Sequence, residues 1–238
     1  KTIYLLIQHL YILFPVVEAP RRRLKSYVSI SVAPPKSMKH PLGSRIQLSC
    51  EVMGSPAPSI QWLRNGEPLM EYEEETNELF ASHPSSIARL TSILVLTAPS
   101  SSLEDVYSCV ATAGSKTTSA STTVYTEQGS DGILSIRKLL TSPWKPIITT
   151  YYNEILQNMG TTIVLPCRPH SHQKSQLIWQ DNRDVVVNFS GNPRVRVLPS
   201  GGLMINNLRW SDMGVYTCTV KTLHGNDSIG TFVYPLKP

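Results

Sequence analysis

The sequence predicts an all-β protein made of two tandem β-sandwich domains. Three observations lead to this fold class. Four cysteines fall into two matched pairs, strand-like alternation of apolar and polar residues surrounds the first cysteine of each pair, and no segment shows sustained helical periodicity. The chain of 238 residues is long enough for two ordinary domains, and 41% apolar residues suffice for packed cores.

The repeated pattern around the cysteines indicates the kind of sandwich. Within each pair a tryptophan lies 12 residues after the first cysteine, and a tyrosine lies two residues before the second. In immunoglobulin-like domains this order joins strand B to strand F by a disulfide and packs the strand C tryptophan against it. We therefore expect two immunoglobulin-like sandwiches of the I-set or C2 type, with bridges Cys50–Cys109 and Cys167–Cys218. The accompanying aromatic residues are Trp62, Tyr107, Trp179 and Tyr216.

Individual strands and turns can be assigned in chain order. In RIQLSCEV, Ile46 and Leu48 alternate with polar residues on the way to the first cysteine, and TIVLPC repeats this pattern around Ile163. A period of two is typical of a half-buried strand. The pair Asn65-Gly66, which follows SIQWLR, predicts a hairpin with a type I′ turn.

The tyrosine before each second cysteine should close the corner between strands E and F by donating a hydrogen bond to the upstream backbone. In the second domain, DMGVYTC places Asp212 and Gly214 ahead of Tyr216, as this corner requires. In the first domain the same places hold Leu103 and Asp105. We therefore expect a degenerate corner in the first domain.

The ends and the middle of the chain divide it further. Residues 1–19 consist of Lys1, an apolar stretch to Val17, Glu18 and the small residue Ala19, which predicts a secretory signal peptide; a buried amphipathic segment is the alternative. Residues 20–27 are a basic tail, and we expect a first domain at 28–125, a linker at 126–143 and a second domain at 144–236.

Residues 1–40 contain seven basic side chains and one acidic side chain, so the basic pI is attributed to the leader. This placement argues against nucleic-acid binding, which needs basic residues on the fold itself.

Motifs for catalysis and cofactor binding are missing from the sequence. It contains no phosphate-binding loop, no G-x-S-x-G turn and no H-E-x-x-H helix, so we expect neither enzymatic activity nor a cofactor. His170 and His172 form an H-x-H pair, but exposed loop histidines are a better interpretation than a metal site, because no Cys or carboxylate lies nearby. No uncharged apolar run reaches the ~18 residues of a membrane span, and no second hydrophobic segment indicates a lipid anchor.

Several residues are candidates for modification or binding. Asn188 and Asn226 each begin an N-x-S triplet, the acceptor for an N-linked glycan in a secreted chain. Residues 67–78 hold six glutamates, which form either a solvated loop or a site that attracts a basic ligand. The linker contains an apolar cluster that either packs the domains together or forms part of a ligand-binding surface. Its members are Ile133, Leu134, Ile136, Leu139 and Leu140.

Four segments together resemble one family. They are MGSPAPSIQW (Met53 to Trp62), AGSKTTSAST after the second cysteine, DMGVYTC, and TFVYP near the carboxyl end. This combination is similar to the ecdysone-inducible neural/ectodermal development factors of insects, which are secreted proteins with two immunoglobulin domains that bind insulin-like peptides. The resemblance covers most of residues 45–236, although DMGVYTC alone is common to many immunoglobulin repeats.

The resemblance implies a non-enzymatic, extracellular protein that sequesters insulin-like peptide hormones and dampens growth signalling. It carries no residue-by-residue assignment of the hormone contacts and leaves the oligomeric state open. A cell-adhesion or axon-guidance module is the alternative, because immunoglobulin tandems serve many partners. The lack of a membrane anchor in the sequence favours the hormone-binding function.

Overall fold

A computed structural model describes residues 25–41, 44–69, 84–97, 102–126, 137, 144–171, 173–187 and 193–237. These residues form strands with one 3₁₀ turn, at Trp210–Asp212. In the first half, the strands are β1 (Tyr27–Val32), β2 (Ser37–His40), β3 (Ile46–Ser55), β4 (Ser59–Arg64), β5 (Glu67–Pro68), β6 (Ile87–Leu96), β7 (Glu104–Ala113) and β8 (Lys116–Thr126). In the second half, they are β9 (Ile147–Asn158), β10 (Ile163–Leu165), β11 (Arg168–His170), β12 (Gln176–Gln180), β13 (Val195–Val197), β14 (Leu203–Ile205), β15 (Gly214–Thr222) and β16 (Gly225–Leu236).

The first domain packs β1, β3 and β6 against a five-stranded sheet in the order β2-β8-β7-β4-β5. Alternate residues of β3, including Leu48 and Val52, are fully buried between the layers. A disulfide joins Cys50 to Cys109 across the sandwich. Beside it, the indole N–H of Trp62 donates to Ser92 Oγ at 3.0 Å, which satisfies the one polar atom that the tryptophan buries.

The second domain packs β9, β16, β15 and β12 against a small sheet in the order β10-β14-β13. A second disulfide joins Cys167 to Cys218. Trp179 is completely buried, and its indole N–H donates to the Gly201 carbonyl at 2.9 Å. Both domains are therefore the all-β sandwiches that the cysteine and tryptophan spacing predicts.

The two domains share one sheet, a feature that the sequence pattern does not predict. Strand β6 of the first domain pairs antiparallel with β9 of the second, and β9 pairs in parallel with β16. The result is a continuous path β1-β3-β6-β9-β16-β15-β12, with β11 attached to β9, in a sheet of eight strands. Strand β9 thus covers the edge of β6, whose backbone groups would otherwise be open to pairing with another chain.

The register of β6, β9 and β16 shows that the two smaller sheets lie on the same side of this long sheet. Ala88, Ile155 and Val233 are partners across β6, β9 and β16, and all three are buried. Because residues that pair across strands point to the same face, the cores of both domains lie on that face. The opposite face, which we call the open face, runs across both domains.

Side chains reinforce the junction between the domains. Arg89 on β6 forms an ion pair with Glu154 on β9 at 3.4 Å, and the hydroxyl of Thr91 donates to Asn153 Oδ1 at 2.7 Å. Arg45 donates to the Lys145 carbonyl at 3.1 Å, and its guanidinium lies 4.7 Å from the ring centre of Trp144. These contacts and the strand pairing hold the two domains side by side.

Two turn predictions are confirmed. Asn65 and Gly66 have φ of 51° and 87°, the positive values that a type I′ turn needs, and they join β4 to β5. The hydroxyl of Tyr216 donates to the Asp212 carbonyl at 3.0 Å and closes the predicted corner. In the first domain, buried Asp105 instead accepts hydrogen bonds from Arg64 at 2.9 Å and from the Asn65 side chain at 2.7 Å.

The corner of the second domain also contains an ion pair that should control stability in acid. Asp212 accepts two hydrogen bonds from the Arg194 guanidinium, at 2.9 and 3.0 Å, and one from the Arg209 backbone N–H. Burial raises the pKa of Asp212, but these hydrogen bonds and the positive charges outweigh burial and lower it. Since the folded pKa lies below the unfolded value of about 3.9, the pair stabilises the domain above that pH. The contribution is lost as the pH falls through the lowered folded pKa.

Replacing Arg194 with Met should therefore lower the free energy of unfolding by about 3 kcal/mol at pH 7, because an unpaired buried carboxylate remains. At pH 3 the loss should shrink, since Asp212 can then be protonated in the variant. Urea denaturation at both pH values measures the difference. Arg196→Met, which changes an exposed arginine on β13 two residues further along the chain, is the matched control and should change little. An equal loss at both pH values would contradict this account of the pair.

Candidate binding surface

The open face carries an apolar patch where the second domain meets the first. Phe232 on β16 pairs with Val215 on β15, and these side chains are 39% and 50% exposed. In the next row, Tyr234 pairs with Leu156 on β9, which pairs with Ile87 on β6. Trp210, 48% exposed, meets Tyr234 edge-on with ring centres 5.9 Å apart. We call this group the open-face patch: Ile87, Leu156, Trp210, Val215, Phe232 and Tyr234.

The local sequence explains why β16 contributes most to this surface. Thr231 and Val233 point into the core, so the intervening Phe232 and Tyr234 must point to the open face. An outward position of a sandwich strand is ordinarily polar. The run TFVYP instead places large apolar side chains on both faces, and this is the signal from which the patch could have been found.

Charged residues border the open-face patch on the side of the first domain. Arg89 lies between Glu51 at 3.7 Å and Glu154 at 3.4 Å, in the row next to Ile87. Such partly exposed pairs add little to stability, typically under about 1 kcal/mol. They give the patch a polar rim, and an apolar centre with a polar rim is the usual composition of a protein-binding surface.

A cleft lies on the other side of the long sheet, between the two smaller sheets. It encloses about 480 Å³. Leu90 and Tyr152 form its floor, and Trp62, Pro166 and Arg168 are among its wall residues. Burial raises the pKa of Tyr152 to about 12, so its hydroxyl remains protonated at neutral pH. The volume is in the range of small-molecule pockets and is too small for a folded peptide.

The residues predicted from the sequence occupy different places. Asn226 lies at the start of β16 with an exposed side chain. Asn188 lies outside the described residues, as does the whole linker cluster of Ile133, Leu134, Ile136, Leu139 and Leu140. The expectation of an exposed loop was wrong for His170, which is half-buried and pairs with Ile147 as the last residue of β11. His172 lies outside the described residues. Among the described residues, no three or more His, Cys, Asp or Glu side chains are grouped so that they could hold a metal ion.

Comparison with known proteins identifies the family. The immunoglobulin domain model matches residues 29–112 and 145–222. Neural/ectodermal development factor IMP-L2 of Drosophila melanogaster is 34% identical, over 92% of this chain and 81% of that protein. The chain belongs to the IMP-L2 family of immunoglobulin-domain proteins. Zwei Ig domain protein zig-4 of Caenorhabditis elegans is also similar, at 32% identity over 86% of this chain and 78% of that protein.

The similarity to IMP-L2 extends to the three-dimensional structure. The crystal structure of neural ectodermal development factor IMP-L2 superposes with a TM-score of 0.74 at 31% identity, covering 89% of this chain and 96% of that one. A score this high over both domains means that they are arranged alike in the two proteins. In the part of this IMP-L2 family member that the structure describes, we find no helix with the length and apolarity of a bilayer span.

Proposed function

We propose that this member of the IMP-L2 family is a secreted, non-enzymatic protein that binds insulin-like peptides and withholds them from their receptor. The whole-chain similarity to IMP-L2, in sequence and in domain arrangement, carries this proposal. The family resemblance implies peptide sequestration. Secretion is further supported by the two disulfides, because such bridges persist in an oxidising compartment.

The open-face patch supports this function as the surface that a peptide hormone would cover. Insulin-like peptides present a compact and partly apolar surface to their receptors, so a sequestering protein needs an apolar surface of its own. Phe232, Val215 and Trp210 offer exposed aromatic and aliphatic groups on a rigid sheet. Aromatic residues on a rigid support are the usual anchors of protein interfaces. The linker cluster around Leu139 and Leu140 remains a second proposed contact region.

Titration of the purified protein with synthetic insulin-like peptides, followed by calorimetry, tests the function. We expect saturable binding with a dissociation constant below about 1 μM, equivalent to about 8 kcal/mol. The adhesion alternative predicts self-association instead, because a cell-adhesion module commonly pairs with a copy of itself. Sedimentation velocity on the free protein and clustering of cells that display it would detect that outcome. Cell clustering in the absence of any peptide binding would show that the protein is an adhesion module and would overturn the hormone-binding proposal.

Passage through the secretory route should also leave a glycan on Asn226. Its side chain is exposed on the open face, opposite Lys221 on β15, so a glycan there would meet no core residue. We expect enzymatic deglycosylation of protein from insect cells to increase its gel mobility. A smaller shift should remain in Asn226→Gln if Asn188 is also modified, and none in the double variant with Asn188→Gln. An unchanged mobility of the parent protein would contradict this prediction.

A further inference from the structure

The end of the second domain that carries the β15–β16 turn is strongly basic. Four side chains from three separate segments lie around this turn, and all four are exposed. Lys145 precedes β9, and Lys174 precedes β12. Lys221 pairs with Gln176 at the end of the pairing between β12 and β15, and His224 lies in the turn itself. We call Lys145, Lys174, Lys221 and His224 the turn cluster.

Specific contacts bring these segments together. The side chains of Gln173 and His224 are hydrogen-bonded with their Nε2 atoms 2.7 Å apart, which joins the loop before β12 to the turn. On the other side, the aliphatic stem of Lys145 lies over Gly225, where a Cβ would come within 3.0 Å of the lysine Cγ. Gly225 also has a φ of +138°, so only glycine combines this backbone with that close approach.

The turn and its neighbours are ordered by further hydrogen bonds. The Thr222 hydroxyl donates to the Gly225 carbonyl at 3.3 Å and accepts from the His224 backbone N–H at 3.2 Å. Arg45 of the first domain donates to the Lys145 carbonyl and places its own positive charge beside the cluster. The lysines therefore extend from an ordered backbone rather than from a loose tail.

The described segments that form this end of the domain contain few acidic side chains. The segments 44–50, 144–153, 173–180 and 217–226 contain no Asp or Glu. The adjacent Asp227 keeps its negative charge and offsets one of the three lysines, while its Oδ2 accepts from the Ile148 N–H at 2.7 Å and its Oδ1 from the Ser228 N–H at 3.0 Å. Residues 41–238 as a whole hold 15 basic and 16 acidic side chains, so the turn cluster is a local excess of positive charge. Five of the glutamates that balance it lie at 71–78, outside the described residues.

We propose that the turn cluster binds sulfated polysaccharide of the extracellular matrix. A sulfated chain offers closely spaced anionic groups, and lysines from three segments can contact several of them at once. Release of condensed counterions from such a polyanion drives binding and makes it strongly dependent on salt. The inference rests on the proposed secretion but not on peptide binding, because the cluster lies at the opposite end of β15 and β16 from Phe232 and Val215. Attachment to the matrix would hold the protein near the cells that release it.

Heparin affinity tests the proposal, measured on the secreted protein and again with Asn226→Gln, which removes any glycan beside Lys221. The site variant combines Lys145→Ala, Lys174→Ala and Lys221→Ala. The matched control removes the same charge elsewhere, through Lys36→Ala, Lys116→Ala and Lys237→Ala, all exposed lysines away from the turn. At 0.15 M NaCl we expect the site variant to bind heparin at least about tenfold more weakly and to show a smaller salt dependence, with the control nearly unchanged.

Other outcomes would overturn the proposal. Equal weakening in both variants would mean that net charge alone attracts the polymer. Equal binding to poly-glutamate would mean that the surface takes any acidic chain, and binding to phosphatidylserine vesicles without binding to heparin would indicate a membrane surface. Titration of the site variant with an insulin-like peptide separates the two proposals, because we expect the peptide affinity to remain unchanged.

Discussion

Changing Phe232 and Val215 together to Ser should weaken the binding of an insulin-like peptide by at least ~30-fold, or about 2 kcal/mol. These side chains face each other across β15 and β16 and are the most exposed pair of the open-face patch. A few apolar anchors commonly carry most of the affinity of an interface. Both point away from the core, so the domain should keep its stability, and calorimetric titration beside a urea denaturation curve measures the two effects separately.

The chain offers two informative comparisons for this experiment. Leu223→Ser removes an even more exposed apolar side chain, 94% exposed, from the β15–β16 turn outside the patch, and it should leave the peptide affinity unchanged. Leu139→Ser with Leu140→Ser tests the linker cluster in the same assay. Full affinity in the Phe232 and Val215 variant, with a loss in the linker variant, would move the hormone site to the linker.

Removal of the second disulfide through Cys167→Ser and Cys218→Ser should lower the free energy of unfolding by about 4 kcal/mol. The bridge closes 51 residues of chain, and a loop of that length restricts the unfolded state by about this amount in the chain-entropy model. Both cysteines are buried, and Cys218 pairs with Trp179 across β15 and β12, so the variant also buries two hydroxyl groups in the core. Both cysteines are replaced together because a single change would leave a reactive thiol.

Urea denaturation monitored by tryptophan fluorescence measures this loss. The same double change at Cys50 and Cys109, which closes 59 residues, should have a similar cost in the first domain. Since β6 and β9 join the domains into one sheet, unfolding of the second domain should also lower the stability of the first. A loss below about 1 kcal/mol for the Cys167 and Cys218 variant would contradict the assigned role of the bridge.

The elements that the sequence determined are those specified by local chemistry. Alternation around Leu48 and Ile163 predicted strands because successive side chains of a strand point to opposite faces. Asn65-Gly66 predicted its turn because both residues tolerate positive φ, and Asp212 with Tyr216 predicted the corner through one hydrogen bond between near neighbours. In each case the residues that decide the structure lie within a few positions of each other.

The pairing of β6 with β9, and the open face that results, were decided only in the tertiary structure. Alternation shows which side chains of a strand are buried, but every strand edge presents the same backbone N–H and C=O groups, so the pattern does not say which edges pair. The apolar pair Phe232 and Tyr234 was visible in the sequence. That these residues form a row with Leu156 and Ile87, more than 70 residues away, depends on the register of three strands from two domains. The physical reason is that side-chain chemistry is local along the chain, whereas the partner of a sheet edge is chosen by long-range packing and shape.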